Sequence, residues 1–145
     1  MARTFTLDEA QMLLPVLESL LRQAMKANQE REEIEREFHD LGTRVFLSGG
    51  TLLNIGALTR RKLEGEQALQ RMKDALSEIE SAGAQVKDLG IGLLDFPCQV
   101  DDEVILLCWK LGEPAIAHWH RAEEGFKGRK PIDERIAKAK PKPPV

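Results

Sequence analysis

The chain has 145 residues, of which 42% are hydrophobic and 31% charged. That is the size of one domain with material for a core, and it excludes a wholly disordered, collagen-like or prion-like chain. No stretch approaches the roughly 18 apolar residues of a membrane-spanning helix, so no membrane partner is expected. Met1 to Leu7 lacks the apolar region of a signal peptide, and Cys98 and Cys108 are too few for a disulfide framework. Both features point to the cytoplasm, with reduced thiols.

The formal net charge of −3 hides an asymmetry. Residues 127–145 hold seven Lys and Arg against Asp133 and Glu134, so the remainder is more acidic than the total suggests. An acidic body does not favour nucleic acid. The end of the chain, 133–145, is basic and proline-rich and is expected to be disordered. An acidic partner is the alternative use of it.

The first forty residues read as a long helix. Thr6-Leu-Asp-Glu9 has the form of a capping box, with Phe5 before it and Ala10 as a weak staple partner. Leu13, Leu17, Leu20, Ala24, Ala27, Ile34, Phe38 and Leu41 alternate at spacings of four and three, interrupted by Arg31. This is a coiled-coil seam. Pro15 is expected to kink or divide the helix. Gly42 is the expected stop. Leu47-Ser-Gly-Gly-Thr51 is a turn, and no Lys follows to make it a phosphate loop. A second helix starts between Thr51 and Asn54 and runs to Ala82, with Leu58, Leu69, Met72, Leu76 and Ile79 on its seam and Gly83 at its end. Gly56 and Gly65 weaken it locally. Two long helices joined by a short loop predict an antiparallel hairpin over 6–82.

After Gly83 the period becomes two. Val86 to Leu89 is a short extended stretch, Ile91 to Phe96 a strand closed by Pro97, and Val104 to Lys110 the clearest strand. Its two faces, Val104/Leu106/Cys108/Lys110 and Ile105/Leu107/Trp109/Leu111, are both largely apolar, so both are expected to be covered. Val100-Asp-Asp-Glu103 is the turn between the strands. Ala115 to His120 is a third strand or, since Pro suits a first helical position, a helical turn. The fold class is α+β: one domain over 1–132, with a coiled-coil-like hairpin followed by a small antiparallel sheet over 84–120 packed on one end of it.

The chemistry-bearing residues fall in this second half. His118-Trp119-His120 places two imidazoles on one face if the segment is a strand. If it is helical, the rings diverge by about 200° and share nothing. Asp95 and Glu113 stand at neighbouring strand ends, so Asp95, Glu113, His118 and His120 are the candidate ligands of a divalent Zn, Mn, Ni or Fe ion. Asp88 and Arg129 are candidate second-shell or anion-binding groups. The plainer reading gives each His a local hydrogen bond and lets the acids cap turns or pair with Lys87, Lys110 or Arg129. Cys108, inside a buried strand, reads as inert packing, and Cys98 as the more exposed thiol.

Val86-Lys-Asp-Leu-Gly-Ile-Gly-Leu-Leu-Asp-Phe-Pro97, Leu107-Cys-Trp-Lys-Leu-Gly-Glu113, Trp119-His120 and Gly125-Phe-Lys-Gly-Arg-Lys-Pro-Ile132 occur in that order. With Phe5-Thr-Leu-Asp-Glu-Ala10 and Leu13-Leu-Pro15, they resemble a bacterial and archaeal family catalogued as domain of unknown function 2203. The resemblance runs to Ile132 and brings no established activity with it. It places Asp88, Asp95, Cys108, Trp109, Glu113, Trp119, His120, Gly128 and Arg129 at motif positions. His118 matches less firmly, which favours His120 with the carboxylates.

Two functional readings follow. One is a ligand or metal site at the sheet end, with metal-assisted hydrolysis as the reaction class if the protein is an enzyme. The other is a non-enzymatic interaction protein whose hairpin forms a homodimer or binds a partner helix.

Overall fold

The computed structural model describes residues 3–50 and 52–139. Helix α1 (Leu7–Ser48) begins at the capping box. The Glu9 amide donates to Thr6 Oγ1 at 3.1 Å, and the Thr6 amide donates to Glu9 Oε1 at 2.9 Å. Pro15 does not divide the helix, which is continuous over 42 residues. The ring stands on the exposed face, where water can serve the carbonyl it leaves unbonded. Nor does Gly42 stop it. Thr43 and Ser48 return their hydroxyls to the carbonyls of His39 and Arg44, and the helix runs on to a left-handed cap at Gly49, φ 74°. At 1.5 Å per residue α1 is about 60 Å long.

Helix α2 (Ile55–Ser81) is capped by Asn54, whose side chain accepts from the Ala57 amide, and it returns antiparallel along α1. The buried line of α1 is Leu14, Leu17, Leu21, Ala24, Ala27 and Ile34; that of α2 is Ala68, Ala75 and Ile79. The seam read from sequence is therefore turned slightly, with Leu14 and Leu21 buried and Leu13 and Leu20 at its margin. Gly65 has a reason to lack a side chain. A Cβ there would lie 3.2 Å from Ile34 Cγ2, so its absence lets the helices approach. Across the shaft, both Arg61 Nε and Nη2 donate to Glu37 at 2.7 Å, and Arg71 reaches Glu30 at 2.6 Å. Such exposed pairs add little stability but favour one register.

The sheet is an antiparallel meander of five strands in chain order: β1 (Gln85–Asp88), β2 (Leu93–Val100), β3 (Glu103–Lys110), β4 (His118–His120) and β5 (Lys130–Pro131). Of the expected third strand Ala115 to His120, only His118–His120 is a strand, and no helical turn forms there. Val100 pairs with Glu103 across the two-residue turn Asp101-Asp102. Pro97 does not close β2, which continues to Val100. In a strand the N–H and C=O of one residue point to the same edge. The Pro97 carbonyl accepts from the Phe5 amide at 2.6 Å, so the hydrogen its nitrogen lacks would have faced away from β3.

The sheet lays one face on the first half of α1. Leu94, Phe96, Cys98 and Val100 of β2, Ile105, Leu107 and Trp109 of β3, and Trp119 of β4 share a core with Phe5, Leu14, Leu17, Leu21 and Ile79. Phe5 packs edge-to-face on Phe96, with centroids 5.5 Å apart. Cys98, expected near the surface, is fully buried in this core, because β2 runs past Pro97. Folded structure also extends beyond Ile132. Asp133 caps a short helix α3 (Glu134–Ala137), and Ile136 is buried in the same core. The remainder of the expected disordered end, 140–145, lies outside the described residues.

Candidate metal centre on the outer face of the sheet

Alternation sends Leu93, Asp95, Leu106, Cys108, His118 and His120 to the face turned away from α1. Three of them converge. Asp95 sits directly opposite Cys108, Cys108 opposite His118, and His120 lies two pairs further along β4, opposite Leu106. Asp95 and Cys108 are 0% exposed and His120 is 3% exposed. One ligand-competent atom from each lies within 4.8 Å of the others.

His120 explains the electrostatics. Its Nδ1 stands 2.8 Å from the Arg121 carbonyl, which can only accept, so the hydrogen is on Nδ1. Nε2 then turns its lone pair toward both Asp95 oxygens, each at 3.1 Å. A lone pair facing a carboxylate in a buried site requires a cation between them, either a proton or a metal ion. Burial first, then the negative charge of Asp95, push the Cys108 thiol up to about 12. It is therefore neutral unless a metal displaces its proton.

Glu113 and Arg129 form a neighbouring lock. Arg129 Nη2 donates to Glu113 Oε1 at 2.6 Å and to the Cys108 carbonyl at 3.3 Å. The same carboxylate oxygen accepts from the Lys110 amide at 2.6 Å, and the Trp109 indole donates to the Glu113 carbonyl at 3.0 Å. The Arg129 guanidinium lies 4.9 Å from the Phe126 ring centroid, at the 3₁₀ turn Phe126–Gly128. Burial raises the Glu113 pKa, but the Arg129 hydrogen bond, the Lys110 amide and the charges of Arg129 and His118 outweigh it and hold the carboxyl below its ordinary value. His118 Nδ1 lies 3.5 Å from Glu113 Oε2 and belongs to this lock.

Of the residues read as metal ligands, the structure thus gathers Asp95 and His120, sets Glu113 against Arg129 and leaves His118 beside Glu113. Asp88 accepts from the Gly90 and Ile91 amides and shapes the β1–β2 turn, apart from the cluster. Cys108, read as inert packing, is the third member. The signal for it was present: with a two-residue turn at Asp101-Asp102, counting back along both strands puts Cys108 across from Asp95.

No helix among the described residues is long and apolar enough to cross a membrane. No curated protein and no solved structure matches the chain. The model of the family described as uncharacterized conserved protein (DUF2203) matches residues 3–132, a span that takes in the capping box, the cluster and the Glu113–Arg129 lock, and the chain belongs to that family.

Proposed function

We propose that the outer face of the sheet is a metal-binding site, with Asp95, Cys108 and His120 as ligands of one divalent transition metal, zinc first. The observation that carries this is the buried convergence of Asp95, Cys108 and His120, with ligand atoms within 4.8 Å of one another and His120 Nε2 at 3.1 Å from both Asp95 oxygens. Two metal bonds of about 2.0–2.1 Å meeting near the tetrahedral angle span about 3.3 Å, close to the separation seen. A thiol beside a carboxylate and an imidazole is a donor set that zinc accepts.

Three protein ligands leave one position free, which is the composition of a hydrolytic site. Burial weighs against that use. With the three side chains at 0–3% exposure, a substrate has no access to the fourth position. The metal therefore ties β2, β3 and β4 together, and the reading favoured is structural metal binding, with metal-assisted hydrolysis second.

The experiment is the metal content of untagged protein by plasma mass spectrometry. Near-stoichiometric metal is expected in the wild type. It should be lost in His120→Ala and Asp95→Asn and retained in His118→Ala, with near-ultraviolet circular dichroism reporting that each variant is folded. Metal-free protein that takes up no Zn, Mn, Ni or Fe would overturn the proposal and leave the dyad holding a proton.

A further inference from the structure

The far end of the hairpin carries a different kind of surface. Leu47 and Phe46 near the end of α1, Leu52 and Leu53 in the loop, and Ile55 at the start of α2 are all exposed, Phe46 at 84% and Leu52 completely. Leu63 follows on α2, also exposed. A monomer's surface tolerates scattered apolar side chains, but five large ones gathered within ten residues at the end of a projecting rod form a patch.

The charge around this patch is one-sided. Residues 41–63 contain Arg44, Arg60, Arg61 and Lys62 and no Asp or Glu. Arg61 is committed to Glu37 and Glu64. Arg44, Arg60 and Lys62 are exposed and make no ion pair among the described residues. Behind this collar the sign reverses. Residues 28–40 hold six acids against two Arg, and residues 64–80 hold five acids against Arg71 and Lys73.

Distance along the rod links the two features. Arg44 lies four residues back from the end of α1, and Arg60 to Lys62 lie five to seven residues into α2. At 1.5 Å per residue the collar sits about 6–10 Å behind the apolar end. That matches the roughly 5–10 Å to which an interfacial apolar face enters a bilayer, and it brings the basic groups to the headgroups. The acidic shaft, repelled by an anionic surface, would hold the rod upright.

We propose that the hairpin tip, through Phe46, Leu47, Leu52, Leu53 and Ile55 with Arg44, Arg60 and Lys62, docks on an anionic phospholipid surface without crossing it. Nucleic acid would use the collar but not the leucines. A tip-to-tip pair of copies would bring two basic collars together.

The test is co-sedimentation of the full chain with vesicles of phosphatidylcholine alone and with 30 mol% phosphatidylglycerol added. With about a fivefold gain per unpaired basic residue near such a surface, binding to the anionic vesicles is expected to be at least tenfold tighter and to fall in high salt. Phe46→Asp/Leu52→Asp should abolish it, and Arg60→Glu/Lys62→Glu should weaken it at least tenfold, with circular dichroism unchanged because these side chains are exposed. Failure to bind anionic vesicles would overturn the proposal. Binding that survives the tip substitutions would also overturn it, and would place the contact in the basic end of the chain. A change in solution mass on tip substitution, without vesicle binding, would make the tip a protein contact and overturn it equally. The outcome is independent of metal content.

Discussion

Arg129 does three jobs with one guanidinium: it neutralises Glu113, caps the Cys108 carbonyl and stacks on Phe126. Replacing it leaves a half-buried carboxylate without its cation. Arg129→Met is expected to cost about 1.5–3 kcal/mol, the range for hydrogen bonds to charged groups. The pH dependence follows from the lowered Glu113 pKa. A carboxyl held low by the fold contributes its stability in full above its ordinary value of 4.5, and loses it as pH falls through the folded value. Denaturant midpoints measured from pH 6 to pH 2.5 should therefore show an acid-side loss in the wild type. In Arg129→Met, where burial is opposed by less, that loss should shrink. Equal acid profiles for the two proteins would mean that the pair is not coupled to folding. Asp95 and His120, on β2 and β4, are buried together, with His120 Nε2 3.1 Å from both carboxylate oxygens, so removing either one would leave its partner buried and unpaired.

Among the elements, α1 is used twice. Its first half is a platform for the sheet, and its second half is one side of the hairpin. Contact with a broad sheet recruits a wider stripe than a single partner helix would, which is why Leu14 and Leu21 are buried beside the simple four-three seam. Leu21→Ala is expected to cost about 2–5 kcal/mol, as for a fully buried leucine. Leu13→Ala, at the margin, should cost less than half as much. Equal costs by chemical denaturation would mean that the seam read from the four-three spacing is the true core. For α2, helix propensity alone scored Gly65 as a weakness, whereas packing makes it a point of close approach to Ile34.

At the scale of the whole molecule, burial is graded along the rod. The buried side chains of α1 are dense from Ala10 to Ala27 and end at Ile34, and those of α2 begin at Ala68. Between Phe38 and Leu63 the two helices hold no fully buried side chain among the described residues. Local opening should follow this gradient. Amide hydrogen exchange read by mass spectrometry is expected to be slowest in β2, β3 and residues 10–27, and faster by orders of magnitude in residues 38–63. Uniform protection along the hairpin would show that something else covers its far end.

Much of this was legible in the chain itself, because it depends on neighbours in sequence. The capping box at Thr6, the turn at Asp101-Asp102, the hairpin and the alternation of β3 are local patterns, and they determined the α+β order of elements. Asp95 and His120 stood out as ionisable residues among apolar strands. Tertiary structure alone decided the rest. Pro97 carries a local stop signal that longer-range bonding overrode, since it found an edge where its missing hydrogen has no strand partner, whereas Gly42 gave way to a later local cap at Gly49. Which carboxylate joined His120 was also decided across strands. Arg129, arriving from a turn after β4, pairs with Glu113, and Asp95 shares its face with Cys108 and His120; these partners are distant in sequence and only the folded sheet brings them together, where an unpaired buried charge would be costly.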